Sequence, residues 1–460
     1  MKIVISLSLT KILLLSILLF LATTTLTTAM ALSQSIVIVG LNAALQKRFI
    51  LPPGTNLDAG NVHRAYRLDT GVGGKGQDVG VSLSCLISGG TPRTTTTTNS
   101  NDDKVILAQF LGKGSEGEVV SQILKSKFGL SDKLTIRTDA PLRTCTTIVG
   151  ANGATELVEM SGIVSNQEMV ALQSEIDELV GSSSGGKADC VCIMGSMPPG
   201  CNDTTYADLT LRLVGRNSLV LIDSVIGLEP LLGVLKTIFD DSSSISSSSM
   251  DKKEQRGGAV LKLNAAELCK LAGVTKSEAS QVTLEELSAS TMGFVAKYTN
   301  VIGSLNYLCI TDGKFPGYII ELPIASTSSS RSNYRTWQLP AVDLSTRGML
   351  YPIGAGDTVA GGTLAAMQYL RRGGGGVITS DIGKNLLDKK VAWCGGTSSS
   401  DDDGVTMAAA FAFGLACGSA SCLQEDNSVF DVKDALTFFN DMKMPVVQNI
   451  YTMSSVASNA

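Results

Sequence analysis

An aspartate stands directly after two glycines at the start of a small-residue helix pattern, in the segment Gly354-Ala355-Gly356-Asp357. Glycines here let the first amides of a helix point at an anion, and the helix dipole favours negative charge at that end. The carboxylate of Asp357 could then take a proton from a hydroxyl while the three preceding amides neutralise a transferring phosphoryl group. The alternative is that Asp357 caps the helix, a common role of aspartate.

A glycine-rich turn surrounds Lys75 in the segment GVGGKGQD, residues 71–78, which opens the amphipathic run VGVSLSCL. Small residues around a lysine suit the close approach of a polar ligand to the backbone. The segment is not a P-loop, because the G-x-x-x-x-G-K-[ST] spacing is missing. A glycine-rich turn between a strand and a helix, without a ligand, is the alternative.

A third polar cluster follows a predicted strand, in the segment KLNAAE that runs from Lys262 to Glu267. Asn264 and Glu267 lie three residues apart, on one face of a helical turn, where they can hold a hydrated Mg²⁺ and its phosphates. The same spacing is also that of a helix N-cap and its capping-box partner. Both interpretations are open at this point.

Composition limits the remaining chemistry. The chain has 460 residues, with a net charge of −5, so no basic field exists for nucleic acid or an anionic membrane. His63 is the one histidine, which excludes histidine-rich zinc sites and leaves carboxylates, lysine, arginine, amides and cysteine to do chemistry. The ten cysteines are scattered without a C-x-x-C motif and are interpreted as small core residues.

The first 31 residues predict a signal or targeting peptide. Lys2 and Lys11 precede the apolar run of residues 12–21, and small residues end the segment at Ala29-Met30-Ala31. We therefore expect entry into the secretory route and no membrane association after cleavage, with a retained N-terminal anchor as the alternative. Because the cysteines look reduced, onward delivery to an organelle such as a plastid is also expected.

Beyond residue 31, short β-branched runs alternate with helical patterns. The predicted strands are 35–40, 105–111, 189–194, 219–222, 259–263 and 307–311, and the predicted helices include 118–128, 166–180, 284–298 and 358–370. This alternation predicts an α/β fold with a doubly wound, mostly parallel sheet that binds ligands beyond the carboxyl ends of its strands. Four low-complexity segments, 91–104, 241–258, 326–333 and 371–404, are predicted to be surface inserts.

The order of these motifs resembles the PfkB carbohydrate kinase family, in its hexose-phosphate kinase branch of 1-phosphofructokinases and tagatose-6-phosphate kinases. The resemblance is carried by the segments GLNAALQK, GVGGKGQDV, GSMPPG, LKLNAAEL, ITDG, IGAGDTVAGG and AFGLACGSAS. It implies a ribokinase-like fold over residues 32–460. It also implies a small β-sheet lid formed by residues 42–70 and 140–160, through which two subunits can pair.

The resemblance also implies site roles. Asp357 is similar to the general base, with Gly354, Ala355 and Gly356 as the anion hole. The positions similar to nucleotide contacts are Lys262, Asn264, Glu267, Thr311 and Gly313, of which Asn264 and Glu267 would hold Mg²⁺ through water or phosphate. The positions similar to acceptor contacts are Gln46, Gly73, Gly74, Lys75, Asp78 and Arg143. The implied cofactors are ATP and Mg²⁺, with potassium as an activator.

Three residues depart from the pattern of the branch. Gln46 stands where the branch has aspartate, Asp78 where it has asparagine, and Ala43 where it has proline. Glutamine donates as well as accepts hydrogen bonds, whereas an ionised aspartate only accepts, so the hydroxyl pattern being recognised has changed. The expected function is ATP-dependent phosphorylation of a ketohexose phosphate, fructose 1-phosphate or fructose 6-phosphate. A kinase of a free sugar or nucleoside, and a catalytically silent binding or scaffold protein, are the alternatives.

Overall fold

A central sheet of ten strands and a separate sheet of four strands form the framework of the protein. The computed structural model describes residues 35–89, 104–151, 153–181, 186–240, 257–276, 280–322, 333–395 and 402–451. The predicted targeting peptide and most of three predicted inserts, 91–103, 241–256 and 326–332, lie outside the described residues.

The secondary structure alternates along the chain. The strands are β1 Ile36–Asn42, β2 Ala44–Ile50, β3 Arg67–Gly73, β4 Val105–Gly112, β5 Ser131–Thr138, β6 Thr144–Gly150, β7 Gly153–Val158, β8 Ala188–Met194, β9 Val214–Asp223, β10 Gly258–Asn264, β11 Leu305–Asp312, β12 Phe315–Glu321, β13 Asn333–Leu339 and β14 Val446–Tyr451. The helices are α1 Lys75–Ser88, α2 Ser115–Ser126, α3 Asn166–Gly181, α4 Thr205–Leu213, α5 Leu228–Asp240, α6 Ala265–Ala272, α7 Leu284–Lys297, α8 Ala355–Arg372, α9 Ser380–Trp393, α10 Asp403–Ser421 and α11 Val432–Asp441.

The large sheet has the strand order β14-β13-β12-β11-β10-β9-β8-β1-β4-β5. Its strands run parallel from β5 to β11, and the last three pairings, β11 with β12, β12 with β13 and β13 with β14, are antiparallel. Every strand predicted from the sequence lies in the parallel part. The predicted α/β class and mostly parallel sheet are therefore confirmed.

The sheet is covered on both faces. Alternate residues of β1 point into different hydrophobic clusters, Ile36 and Ile38 into one and Val37 and Val39 into the other. All four side chains are fully buried, as expected for a parallel strand between two helical layers. The carboxyl ends of β1, β8, β9 and β10 consequently meet at one edge of the sheet.

The small sheet has the order β3-β2-β6-β7. Its strands come from the two segments predicted to form a lid, 42–70 and 140–160, with β3 continuing to Gly73. The strand β2 follows β1 after a single residue, Ala43, and the helix α1 follows β3 after Gly74. Both connections are short, so the small sheet is attached directly beside the carboxyl edge of the large sheet.

Part of the predicted insert 371–404 is not a surface loop. Residues 380–393 form α9, whose side chains Ile382, Leu386 and Trp393 are buried in the core. The flanking residues are rich in glycine and serine, so the amphipathic helix between them was not recognised. The prediction of a surface insert was therefore wrong for residues 380–393.

The helix α10 is long and apolar enough to cross a membrane, and it is the one such helix among the described residues. Its apolar window is 83% buried inside the protein. Glycines allow this close packing, since a Cβ atom at Gly362 of α8 would lie 3.0 Å from the Cα atom of Gly414 of α10. In this fold α10 is a core helix that supports α8.

Candidate active site

The segment Gly354–Asp357 forms the first turn of α8. Gly354 is the N-cap residue, with a φ of 80°, so the cap is a glycine and not Asp357. The amide of Ala355 donates to the carbonyl of Pro352 at 3.1 Å, which removes Ala355 from the predicted set of three amide donors. The amides of Gly356 and Asp357 have no acceptor among the described residues. The turn therefore presents free donors at the positive end of a helix dipole.

Asp223 connects two lysines beside this turn. Its Oδ2 atom lies 2.6 Å from the Nζ atom of Lys262, and its Oδ1 atom lies 2.8 Å from the Nζ atom of Lys75. Asp223 ends β9 and Lys262 lies on the adjacent strand β10, in register with it, while Lys75 opens α1. Asp223 and Lys262 are buried, with 1% and 4% exposure. A buried carboxylate between two ammonium groups satisfies the rule that buried charges must be paired.

The charges of this cluster act on Asp357. Burial and the neighbouring carboxylate of Asp223 raise the pKa of Asp357 to about 7, against the opposing effect of Lys75 and Lys262. Burial opposes the charged form of Asp223, but Lys262 and Lys75 hold its pKa below the ordinary value. The pKa of Lys75 is raised, because the negative charges of Asp223, Asp357 and Glu267 outweigh the effect of burial. Asp357 can thus exchange a proton near neutral pH.

Asn264 and Glu267 form the capping box of α6. The side chain of Asn264 accepts from the amide of Glu267 at 2.8 Å, and Glu267 accepts from the amide of Asn264 at 2.9 Å. The capping interpretation of the spacing is therefore observed. The second oxygen of Glu267, Oε1, lies 3.6 Å from Lys75 and keeps this carboxylate in the cluster.

Magnesium would be held here indirectly. Among the described residues, no group of three or more histidine, cysteine, aspartate or glutamate side chains forms a direct metal site. Asn264 and Glu267 each accept one backbone hydrogen bond in the capping box. The carboxylate of Glu267 has further acceptor sites, which can bind metal-bound water. This donor set fits a hydrated Mg²⁺ that the protein contacts through its waters.

Thr311 lies beside this capping box. It pairs with Asn264 in the register of β10 and β11, and Gly313 follows in the turn to β12 with a φ of 60°. The structure therefore brings together Lys262, Asn264, Glu267 and Thr311 at the carboxyl ends of two neighbouring strands, with Gly313 close by.

A cleft of about 320 Å³ opens beside Lys75 and Glu267. Its lining includes Asn42, Arg143 and Ser196, so it lies between the large sheet and the small sheet. The guanidinium of Arg143 donates to the carbonyls of Asn42 and Ala43, at 2.9 and 3.3 Å. Arg143 thus lies in the cleft and also holds the connection between β1 and β2.

The glycine turn before α1 requires its glycines. Gly74 is the N-cap of α1 with a φ of 109°, and a Cβ atom there would lie 2.4 Å from the Oε1 atom of Gln77. At Gly73 a Cβ atom would lie 3.0 Å from the Oε1 atom of Gln46. The backbone of the turn therefore lies against the side chain of Gln46.

Gln46 and Asp78 are both buried, with 2% and 5% exposure. Gln46 donates to the hydroxyl of Thr147 at 2.6 Å, within the small sheet. The Oδ1 atom of Asp78 has no hydrogen-bond partner among the described residues. Burial, together with the charges of Asp357 and Glu156, raises the pKa of Asp78 well above its ordinary value, although Arg48 acts in the opposite direction. Gln46 and Asp78, two of the three departures from the branch pattern, are therefore both in the interior, and Asp78 lies close enough to Asp357 to be affected by its charge.

Sequence reasoning missed Asp223, the centre of the charge cluster. Its signal was present, since the predicted strand LVLI is followed at once by aspartate and serine, and a polar residue at the carboxyl end of a parallel strand is placed for function. Arg48 and Asp426, which join the small sheet to a distant loop, were also missed. They are far apart in the sequence and belong to no shared motif.

Comparisons with protein-family models and with curated proteins give no match. Solved structures do match. A phosphofructokinase-2 from Escherichia coli in complex with fructose-6-phosphate has a TM-score of 0.53 at 15% identity, covering 88% of this chain and 98% of that chain. A possible 1-phosphofructokinase from Thermotoga maritima has a TM-score of 0.51 at 14% identity, with coverages of 90% and 99%.

A ribokinase from Thermotoga maritima has a TM-score of 0.52 at 11% identity, covering 89% of this chain and 100% of that chain. Nearly the whole length of each neighbour is therefore matched. At these identities the likeness shows a shared fold, the ribokinase-like fold that the motifs predict.

Proposed function

We propose that the protein is an ATP-dependent kinase of a sugar hydroxyl. The observation that carries this proposal is the position of Asp357, in the first turn of α8, with free backbone amides on one side and the Lys75–Asp223–Lys262 cluster on the other. An acid with a pKa near neutrality beside anion-binding donors is the arrangement that phosphoryl transfer to a hydroxyl needs.

The chain's own groups supply deprotonation and charge stabilisation. The Asp357 carboxylate takes the proton of the acceptor hydroxyl as that oxygen bonds to the terminal phosphorus of ATP, while the bond from this phosphorus to the bridging oxygen breaks and ADP leaves. The amides of Gly356 and Asp357 donate to the phosphoryl oxygens, on which negative charge is concentrated in the transition state. Lys262 lies next to this turn, since a Cβ atom at Gly356 would be 3.3 Å from its Nζ atom. It adds a positive charge where the phosphates would lie.

The nucleotide side is assigned to the carboxyl ends of β10 and β11. Lys262 would face the phosphates, and Thr311 and Gly313 the remainder of the nucleotide. Asn264 and Glu267 would hold the hydrated Mg²⁺, which neutralises phosphate charge when bound. Potassium activation stays a prediction, with no site assigned.

The acceptor side is assigned to the cleft between the two sheets. Contact of the sugar with the backbone of Gly73 and Gly74, and of its hydroxyls with Gln46 and Asp78, stays a prediction. None of these four residues lines the cleft, and Gln46 lines a separate cavity. Lys75 and Arg143 support a phosphorylated ketohexose, because both cations line the cleft. Movement of the small sheet over the acceptor would exclude water from the reaction.

A second candidate is a kinase of an unphosphorylated sugar or nucleoside. The observation that favours it is that both cations already have partners, Lys75 in Asp223 and Glu267 and Arg143 in two backbone carbonyls. A phosphorylated acceptor would have to compete for them. A catalytically silent scaffold is disfavoured by the position of Asp357 beside its charge cluster.

The Asp357→Asn variant tests the assignment of the base. Turnover should fall by about two to four orders of magnitude, since the amide cannot accept the proton, while binding of a fluorescent ATP analogue is retained. Asp343→Asn, which removes an exposed carboxylate from the preceding segment, is the matched control and should keep full turnover. A fully active Asp357→Asn variant would show that the base is elsewhere.

The small sheet supports a proposal of self-association. Leu68, Leu157 and Met160 are exposed there, by 52%, 57% and 90%, and exposed apolar patches mark interaction sites. A homodimer through this sheet should dissociate on Leu157→Glu substitution, as measured by sedimentation velocity. A monomeric wild-type protein would refute it. Entry of the chain into the secretory route through residues 1–31 is likewise a proposal, to be tested by the location of a fluorescent fusion.

A further inference from the structure

The loop of residues 422–431, which joins α10 to α11, contacts both the small sheet and the turn that opens α8. On the side of the small sheet, Arg48 of β2 pairs with Asp426 at 2.5 Å. Lys127, which follows α2, pairs with the other oxygen of Asp426 at 2.9 Å, and Arg67 of β3 pairs with Glu425. Three basic groups outside the loop are thus bound by two consecutive acidic residues within it.

The contact with the small sheet depends on these ion pairs. Arg48 is 5% exposed. Its buried charge needs a partner, so Asp426 has to stay with Arg48 when the small sheet moves. A cavity of about 90 Å³ lies beside the contact, lined by Gln46, Arg48, Lys127 and Asp426 among others. The sheet and the loop are therefore joined by direct ion pairs beside a cavity, in addition to the apolar core that both elements share.

On the other side, the same loop holds the anion-binding turn. The hydroxyl of Ser428 donates to the carbonyl of Gly354 at 2.9 Å, and the amide of Tyr351 donates to the carbonyl of Cys422 at 2.8 Å. Ser428 is fully buried. Its φ is 59°, and among the described residues it is the one non-glycine residue with a positive φ. Such a conformation persists only where the surroundings enforce it.

Asp426 and Ser428 are separated by a single residue, so displacement of one moves the other. We propose that Asp426 and Ser428 are positioning residues, through which closure of the small sheet over the acceptor fixes the Gly354–Asp357 turn for phosphoryl transfer. The proposal rests on the proposed kinase function for its kinetic consequence. The mechanical link itself is a property of the protein without substrate.

Two variants separate the ends of this link. Asp426→Asn weakens the pairing with the small sheet while it preserves side-chain shape. Ser428→Gly removes the hydroxyl and accepts the positive φ without strain. Asp177→Asn, which breaks an ion pair with Arg212 away from the loop, is the matched control. Hydrogen–deuterium exchange of the full chain reports local opening without any need for activity.

In Asp426→Asn, the hydrogen-bonded amides of Ala355 and of residues 358–360 should exchange about tenfold faster. In Ser428→Gly, strand β2 should likewise exchange faster, and Asp177→Asn should change neither region. Acceleration confined to residues 422–431 in both variants would overturn the proposal, since Asp426 would then have only a local structural role. If one variant fails to fold, hydrogen–deuterium exchange at the opposite end of the link in the other variant still tests the proposal.

The two variants should affect KM and kcat differently. Asp426→Asn should raise the acceptor KM about tenfold and also lower kcat, whereas Ser428→Gly should lower kcat with little change in KM. Equal kcat in wild type and Ser428→Gly would overturn the positioning role. Absence of turnover in the wild type would count against the proposed function, and the exchange result would still decide the link.

Discussion

Asp223 and Lys262, on adjacent parallel strands, form a buried ion pair with a distance of 2.6 Å between Oδ2 and Nζ. Asp223 also binds Lys75, so one carboxylate joins two elements of the large sheet to the first residue of α1. The negative charge of Asp223 is one of the causes that raise the pKa of Asp357. The pair therefore has a structural role, and its carboxylate also affects the pKa of Asp357, the candidate base.

The first prediction concerns pH. Burial and Asp223 raise the pKa of Asp357 to about 7, and a general base must be deprotonated to act. The kcat/KM value should therefore rise with pH through about 7 and level off above it, because this parameter reports ionisations of the free enzyme. Initial rates in buffers of constant ionic strength measure the profile. A flat profile between pH 5 and about pH 8 would exclude Asp357 as the titrating base.

The second prediction concerns Asp223. Asp223→Asn keeps the shape of the side chain but leaves the buried Lys262 without its carboxylate, so it should destabilise the protein by about 3–5 kcal/mol. Urea unfolding measures this free energy. Loss of the negative charge should also lower the pKa of Asp357 and shift the rising limb of kcat/KM to lower pH.

Asp189→Asn is the control for that experiment. Asp189 pairs with Arg372 at 2.7 Å, with both side chains about a quarter exposed, so its loss should cost less than that of Asp223. If the rising part of the kcat/KM profile lies at the same pH in Asp223→Asn as in the wild type, Asp223 does not affect the pKa of Asp357.

The third prediction concerns Asp78. Burial, Asp357 and Glu156 raise its pKa, so the folded state keeps a proton that the unfolded state releases in the ordinary aspartate range. Stability should therefore fall as the pH rises above that range, because the unfolded state then binds fewer protons. Asp78→Asn removes this effect. Its melting temperature should exceed that of the wild type at pH 8, and the gain should shrink on acidification towards about pH 4.

Asp343→Asn is the control for this comparison, because Asp343 is exposed and hydrogen bonds to Ser345 lower its pKa. It should give no gain at pH 8. An Asp78→Asn variant with the same stability difference at every pH would show that Asp78 has the same pKa in the folded and unfolded states.

The fourth prediction distinguishes the two candidate acceptor classes. Arg143→Ala should raise KM for a phosphorylated acceptor by about tenfold or more, through loss of a charged hydrogen bond. KM for an unphosphorylated analogue should change much less. Equal increases for both acceptors would mean that Arg143 acts only by holding the backbone of Asn42 and Ala43.

Much of the fold could be predicted from local patterns. Six of the seven parallel strands were predicted, because burial on both faces demands continuous apolar residues. Five of these match the prediction to within two residues at each end, β9 begins five residues earlier than predicted, and β5 was not predicted. The strands β12, β13 and β14 could not be found in this way. Their pairings are antiparallel. β12 follows β11 in a tight hairpin, whereas β13 and β14 are separated by four helices along the chain.

The site was predictable where it is built from contiguous motifs. Asp357, Lys262 and Glu267 lie in segments whose glycines or capping residues can be recognised in the sequence. Asp223 was missed although its place after a predicted strand marked it, and its lysine partners could not be predicted. Those partners, like the Arg48–Asp426 pair, depend on which strands and loops become neighbours. The spacing of Asn264 and Glu267 left two interpretations open, of which the structure shows the capping box.

Release of ADP by the purified protein, with ATP and Mg²⁺, across a panel of free and phosphorylated ketohexoses and nucleosides tests the central claim most directly. The account predicts turnover on a ketohexose phosphate that is lost in Asp357→Asn and kept in Asp343→Asn. Turnover only on an unphosphorylated acceptor would support the second candidate and remove the phosphate-binding roles of Lys75 and Arg143. No turnover on any acceptor, with the ATP analogue still bound, would contradict the kinase assignment.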